Sequence, residues 1–321
     1  MTNDKKILKL GIIGLSEGNG HPYSWSAIFN GYRPELMADC GFPVIPDYLA
    51  QQLWPEASIP QSVVTHIWTQ DSAVSQKIAQ ATYIDHIVEN MEDLVESVDA
   101  ILLARDDAEH HIEMSAPFLA AGLPIYIDKP ICLSLTDLDR LYQLQQYPGQ
   151  IFSCSALRYG NEFILTDSER DDIGKLVYIQ AVTPKDWDRY SVHIIEPLLH
   201  IIGDQGMLVS SERFFQEKHP GDNSQGVCTT YYTWESGLQA SVTAMGKLPV
   251  PISLRIIGEK GFKDLVFQDA FSAFKAALND FVDGVIQKDQ RTPYEFMHKS
   301  VDMIERGRPT FEDAKCHLVS Y

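Results

Sequence analysis

In the first half of the chain, apolar residues fall in short, nearly continuous runs. Longer stretches separate them, in which apolar positions recur every three or four residues. Residues 7–15 (I-L-K-L-G-I-I-G-L) form one such run and end in glycines, the pattern of a buried parallel strand entering a tight turn. Runs at 62–68, 99–104 and 124–128 predict three more strands. Helices are predicted over 24–29, 71–81, 91–97, 109–121 and 134–145, the fourth closed by Gly122, a helix-stop signal. Residues 31–61 carry Pro34, Pro43, Pro46, Pro55 and Pro60 and read as an insertion. Strand and helix alternating at this spacing predict βαβ units, a doubly wound parallel sheet and ligand sites at the carboxyl ends of its strands.

After Gly149 the period changes. Stretches 175–182, 227–234, 238–244 and 253–257 read as strands, with turns at Glu235-Ser236-Gly237 and at 258–261. Stretches 270–286 and 294–305 have helical spacing. The expected fold class is therefore α/β. An N-terminal Rossmann domain covers 1–130, and a C-terminal α+β domain with a large, mostly antiparallel sheet covers 131–321. A chain of 321 residues suits two such domains.

Charge narrows the partners. With 26 Lys and Arg against 44 Asp and Glu, the net charge is -18, which argues against nucleic acid and anionic membranes. No run reaches the ~18 apolar residues of a membrane helix, and residues 1–6 with the short run after them read as the approach to a strand, not a signal peptide. Cys40, Cys132, Cys154, Cys228 and Cys316 are scattered and odd in number. No disulfide framework or zinc site is expected, and a reducing cytoplasm is.

Four segments carry candidate chemistry. The loop after the first strand holds Gly14, Ser16, Gly18 and Asn19. Glycines between a strand and a helix let a backbone approach a dinucleotide pyrophosphate. A strict G-x-G-x-x-G would place glycine at 16 and 19, so an ordinary glycine-rich turn is the plainer alternative. At the end of the second strand, Thr69 takes the place of the acid that binds the adenosine ribose, and Asp71 follows two later. No Arg stands beside them for a 2′-phosphate. NAD is thus favoured over NADP, while Asp71 is also a natural helix N-cap. Asp128-Lys129-Pro130 closes the strand at 124–128, where an ammonium can stabilise charge on a reacting oxygen. Finally, His193, Glu196 and His200 share one helical face. His193 suits proton exchange with a hydroxyl, whereas His200 reads as a structural residue. Two His and one Glu with no further ligand are weak grounds for a metal, so none is expected.

Together these motifs resemble the glucose–fructose oxidoreductase and inositol 2-dehydrogenase family, Gfo/Idh/MocA. The likeness spans nearly the whole chain and is most specific over 98–130, V-D-A-I-L-L-A-R-D-D-A-E-H-H-I-E-M-S-A-P-F-L-A-A-G-L-P-I-Y-I-D-K-P. There Asp128-Lys129-Pro130 stands for the family's Glu-Lys-Pro and His111 for its loop histidine. Ser155-Ala-Leu-Arg158-Tyr159 is similar to the family's entry into the second domain. The resemblance implies that Lys129 is catalytic or positions the nicotinamide, and that His111 belongs to the cofactor site. It also implies that His193 is the proton-transfer histidine, which the family pairs with an acid four residues earlier. Here that position is Arg189, with Asp188 beside it as the candidate catalytic acid. Arg158, Arg189 and Glu196 are candidate substrate contacts, and the fork of Arg189 suits an anionic group.

The expectation is an NAD(P)-dependent oxidoreductase acting between a hydroxyl and a carbonyl carbon of a sugar, polyol or sugar derivative. The chain is expected to form a homodimer or homotetramer through the C-terminal sheet. The alternative is a non-catalytic NAD(P)- or sugar-binding sensor or partner protein that keeps the fold. A metal-dependent lyase built on His193, Glu196 and His200 is a third reading.

Overall fold

The structure is a computed structural model, described over residues 7–216 and 226–308; residues 1–6 and Cys316 lie outside the described residues. The chain divides into two compact units. The first comprises residues 1–132, 136–154 and 274–294, and the second 133–135, 155–273 and 295–321. The first unit thus runs past the expected boundary at 130 and recovers a later helical segment.

In the first unit, strands β1 (Leu8–Gly14), β2 (Ser62–Thr69), β3 (His86–Ile87), β4 (Ala100–Leu103), β5 (Ile125–Ile127) and β6 (Ile151–Phe152) form one parallel sheet in the order β3-β2-β1-β4-β5-β6. Leu10, Ile12, Ile13, Ile67, Ile101, Leu102, Leu103, Ile125 and Ile127 are all inaccessible to solvent. That is why these strands read as apolar runs and not as alternating ones. The connecting helices are α1 (His21–Asn30), α2 (Pro34–Met37), α3 (Val44–Leu49), α4 (Ser72–Ala81), α5 (His111–Ala120) and α6 (Leu135–Gln143). Trp25 of α1 stacks on Tyr126 of β5 at 4.7 Å, and Tyr126 meets Phe152 of β6 edge-on. These rings bind α1 to the sheet through large buried surfaces.

Several local expectations need correction. Helix α1 starts at His21, not Ser24, because Pro22 fits the first turn of a helix. The supposed insertion at 31–61 contains α2 and α3, which tolerate Pro34 and Pro46 at their starts. The stretch 91–97 makes only a 3-10 turn, Met91–Leu94, and α5 follows a 3-10 turn at Ala108–His110.

The second unit begins with α7 (Asp167–Ile173), whose Thr166 and Glu169 form a capping box. Then come β7 (Leu176–Thr183), α8 (Trp187–Tyr190), α9 (Val192–Ile202), β8 (Leu208–Gln216), β9 (Val227–Trp234), β10 (Gln239–Ala244), β11 (Ser253–Gly258) and β12 (Phe262–Val266). Helix α10 (Ala270–Gln287) leaves this unit at Phe274, and α11 (Tyr294–Gly307) returns to it at Glu295. The sheet order is β12-β11-β7-β10-β9-β8. All its pairings are antiparallel except β10 with β7, so the mostly antiparallel sheet stands as read. One face is buried: Ile179, Ala181, Tyr232, Ala240, Val242, Leu254 and Ile256 join Ile194, Ile195 and Leu198 of α9 in a single core. Helix α11 is tied to this unit by Trp187 Nε1, which donates to the Ile304 carbonyl at 2.9 Å, and by Tyr232 Oη, which donates to that of Met303 at 2.6 Å. Among the described residues, no helix is long and apolar enough to cross a membrane. Cys40, Cys132, Cys154 and Cys228 are all buried.

Candidate functional site

Chemistry-bearing side chains gather at two places, one in each unit. In the first unit they stand at the carboxyl ends of β1, β4 and β5. The glycine loop is shaped by two constraints. A Cβ on Gly14 would lie 2.4 Å from Pro22 Cγ, so only glycine lets the end of β1 come this close to α1. Gly18 has φ +79°, a conformation that costs a side-chain-bearing residue about 1 kcal/mol or more. Between them, Ser16 and Asn19, where the strict motif has glycine, pin the loop to the sheet. Ser16 Oγ donates to Asp106 Oδ1 at 2.7 Å, and Asn19 Nδ2 donates to Asp128 Oδ2 at 2.8 Å. His21 Nδ1 stands 2.6 Å from the same Asp128 oxygen. Because a carboxylate can only accept, that nitrogen carries the proton.

Lys129 is buried, and its ammonium donates to Asp106 Oδ2 at 3.3 Å. Its own N–H is received by Asp128 Oδ1 at 2.7 Å. Asp106 therefore connects Lys129 to Ser16, and Asp128 connects the residue before Lys129 to the loop. Neither acid was assigned a role from sequence. The signal was thin: Asp106 lies in a polar stretch after β4, and its partner Ser16 is 90 positions away.

The other expected cofactor contacts are engaged with the protein itself. Thr69 Oγ1 meets Ser75 Oγ at 2.8 Å and donates to the Asp71 carbonyl at 2.6 Å. Asp71 caps α4 by accepting from the Ala73 N–H at 2.8 Å. His111 is wholly buried, with Nε2 at 2.8 Å from the Arg105 carbonyl and Nδ1 at 3.0 Å from that of Ile131. Its ring is a strut between the loops that follow β4 and β5. Gln70, not singled out from sequence, reaches back over β1. Its amide oxygen accepts from the Leu15 N–H at 3.0 Å and from Arg105 Nη1 at 3.1 Å. Arg105 is in turn paired with Asp107.

In the second unit the cluster lies on α9 and the 3-10 turn Ala156–Tyr159. His193 Nδ1 is 2.9 Å from Ser155 Oγ, and its ring meets Tyr190 edge-on at 5.1 Å. Glu196 is buried, accepts from the Ser155 N–H at 2.8 Å and lies 3.9 Å from Arg158 Nη1. Burial pushes the Glu196 carboxyl up to about 7, against the opposing effects of the Arg158 charge and the Ser155 N–H. The structure thus joins His193 and Glu196, which share a helical face, to Ser155 and Arg158 of the 155–159 stretch. Arg158 also lies over the rings of Tyr159 and Phe296. Asp188 makes a two-pronged pair with Arg308 at 3.1 Å. The Arg189 N–H donates to Asp186, the N-cap of α8. His200 keeps one side exposed to solvent, while partial burial of its ring and then the charges of Arg158 and Arg170 lower its pKa. Among the described residues, no group of three or more His, Cys, Asp or Glu is placed to hold a metal.

The model of the GFO_IDH_MocA oxidoreductase family, NAD-binding Rossmann fold, matches residues 47–155. The matched stretch opens after the glycine loop and includes Lys129. No curated protein sequence matches the chain. Among solved structures, myo-inositol 2-dehydrogenase from Lactobacillus plantarum superimposes with a TM-score of 0.70 at 15% identity, over 94% of this chain and 96% of that one. Scyllo-inositol dehydrogenase from Lactobacillus casei, with bound NAD(H) and scyllo-inositol, gives 0.70 at 14%, over 93% and 95%. UDP-N-acetylglucosamine 3-dehydrogenase from Acidithiobacillus ferrooxidans gives 0.67 at 14%, over 94% and 96%. At these identities the likeness is one of fold. Over residues 47–155 the chain is similar to the NAD-binding Rossmann fold of the Gfo/Idh/MocA oxidoreductase family.

Proposed function

We propose that this protein is a dehydrogenase that moves a hydride between a nicotinamide dinucleotide and a hydroxyl-bearing carbon of a polyol, a sugar or a sugar derivative. The observation that carries it is Lys129, buried at the carboxyl end of β5 in a sheet of Rossmann order and held by Asp106. The first unit fits a dinucleotide. Gly14 gives the close strand-to-helix approach, Gly18 takes a positive φ in the loop, and these residues with the N-terminal end of α1 would hold the pyrophosphate. When bound, the dinucleotide supplies the acceptor or donor of the hydride. NAD is the favoured form, since Thr69, Gln70 and Asp71 offer no cation for a 2′-phosphate and Arg105 is taken up by Asp107.

Lys129 stabilises negative charge developing on the substrate oxygen. Asp106 orients its ammonium. His193 exchanges the hydroxyl proton, using Nε2 because Ser155 occupies Nδ1. Arg158, Arg189 and Glu196 are the proposed substrate contacts of the second unit. The inositol and sugar-nucleotide dehydrogenases that share the fold support a cyclic polyol or sugar as the first class to try.

A second reading, a ligand-binding protein without turnover, draws on one observation: Asp188 is engaged with Arg308, and Arg189 stands where the family has its acid. Titration with NADH and NADPH, followed by nucleotide fluorescence, combined with turnover of myo-inositol, scyllo-inositol and UDP-N-acetylglucosamine, separates the two. Binding with turnover of any of these supports the dehydrogenase. Binding without turnover favours the second reading, and no binding of either nucleotide contradicts the dehydrogenase and leaves the second reading in its sugar-binding form.

A further inference from the structure

His21 opens α1 directly after the glycine loop, and three side chains of the first unit hold its ring. Asp128, just past β5, takes Nδ1 at 2.6 Å. Trp25 stacks on the ring at 5.0 Å and 14°, and Phe274 of α10 packs against it at 5.1 Å and 69°. Of these three, only Asp128 is charged. The main-chain N–H of His21 donates to Asn19 Oδ1 at 2.8 Å, and Asn19 is itself bound to Asp128. Turning the ring would break the Asp128 bond and the stack together, so it is fixed before any ligand arrives. Because Nδ1 carries its proton to a carboxylate, Nε2 is the nitrogen left over. It makes no hydrogen bond with the described residues, and the side chain keeps 15% of its surface accessible. The surrounding loop is poor in cations. From Gly14 to Asn30 the sequence has no Lys or Arg, and Glu17 adds a negative charge. Ser16 and Asn19 spend their side chains on Asp106 and Asp128, Lys129 donates to Asp106, and Arg105 pairs with Asp107. His21 is the one side chain of residues 14–30 that can bring a positive charge to an anion.

We propose that His21, aligned by Asp128, is a pyrophosphate contact of the nucleotide site, with Nε2–H donating to a phosphate oxygen. The inference rests on the nucleotide-binding part of the dehydrogenase reading above. The main-chain N–H groups at the start of α1 offer a pyrophosphate only partial charges. A ring with a proton on each nitrogen adds a full one. Its Nδ1–H stays on Asp128 and its Nε2–H meets the phosphate, and both bonds are charge-assisted. Where the free ring is neutral, the Nε2 proton comes from solvent on binding and returns to it when the nucleotide leaves. Asp128 thereby serves the nucleotide through His21, while Lys129, the next residue, serves the substrate oxygen.

The test compares dissociation constants of NADH and of ADP-ribose for the full-length wild-type protein and His21→Asn. Asparagine puts its amide nitrogen where the ring has Nδ1, so it keeps a donor for Asp128 and lacks Nε2. Both ligands carry the pyrophosphate, and only NADH carries the nicotinamide. His21→Asn should weaken the two alike, by about tenfold or more. A loss confined to NADH would place His21 on the nicotinamide half and overturn the proposal, as would unchanged constants for both. A second measurement needs no variant to bind: 15N NMR of the imidazole nitrogens in the labelled wild-type protein, with His21 assigned by difference against His21→Gln. Above the His21 titration the free protein should show a protonated Nδ1 and a bare Nε2, and saturating ADP-ribose should move Nε2 into the protonated range. An Nε2 that stays bare in the ADP-ribose complex overturns the proposal. If the wild-type protein binds neither ligand, the dehydrogenase reading itself fails; if it binds both and His21→Asn binds them equally well, only the role of His21 does.

Discussion

Asp128 and His21, 107 positions apart in the chain, face each other at 2.6 Å across the base of the glycine loop. Asp128 also receives the side chain of Asn19 and the N–H of Lys129. Removing it leaves three donors without an acceptor in a site almost closed to solvent. Asp128→Ala should therefore cost about 3 kcal/mol or more. His21→Ala loses one of those bonds and a stack on Trp25, and should cost about 1–2 kcal/mol. Urea denaturation of both variants measures the difference, and equal losses would show that Asp128 is not the hub.

Glu196 gives a pH signature. Its carboxyl is raised from 4.5 to about 7 in the folded chain, so between those values the native state holds a proton that the unfolded state has released. Stability contributed by that proton is complete below about 4.5 and is lost as pH rises through about 7. The loss is on the order of 3 kcal/mol. Glu196→Gln should flatten this slope. Denaturation midpoints at several pH values between about 4 and 8 check it, and parallel profiles for both proteins would refute it.

The glycine loop offers a third test. A methyl group on Gly14 would meet Pro22 Cγ at 2.4 Å, forcing α1 away from β1. Gly14→Ala should weaken NADH binding by about tenfold or more while the second unit keeps its structure. An unchanged dissociation constant would mean that the approach of β1 to α1 does not matter for the nucleotide.

What was legible in the sequence follows from burial on both faces. Strands β1, β2, β4 and β5 read plainly because apolar side chains line both sides of the parallel sheet. Strands β8 and β12 did not. Their sequences, LVSSERFFQ and FKDLV, place Phe214 and Phe262 on the solvent side among charged neighbours. Two-residue β6 is too short to carry any period. At the site, Lys129 and His193 stood out because a strand end and a helix face marked them. Asp128 and Ser155 were visible only as members of motifs, and Asp106 not at all, since their partners are dozens of positions away and no local spacing records the contacts. Thr69, Asp71 and His111 show the converse, for a side chain placed at a promising position can be used up by the main chain around it.

The outer face of the second sheet carries exposed Phe214, Tyr231, Phe262 and Val266. A homodimer or homotetramer that pairs these faces would remove them from water. Light scattering should give a multiple of the 36.2 kDa chain, and Tyr231→Glu should shift the species towards the monomer. A wild-type monomer at micromolar concentration would refute the pairing.

The most direct measurement of the catalytic assignment compares wild-type protein with Lys129→Met, recording NADH binding by fluorescence and turnover of myo-inositol in parallel. The ammonium acts on the substrate oxygen, so kcat should fall by about 100-fold or more while NADH still binds. A variant that turns over at the wild-type rate would contradict the role assigned to Lys129, and with it the account of this protein as a dehydrogenase built around that residue.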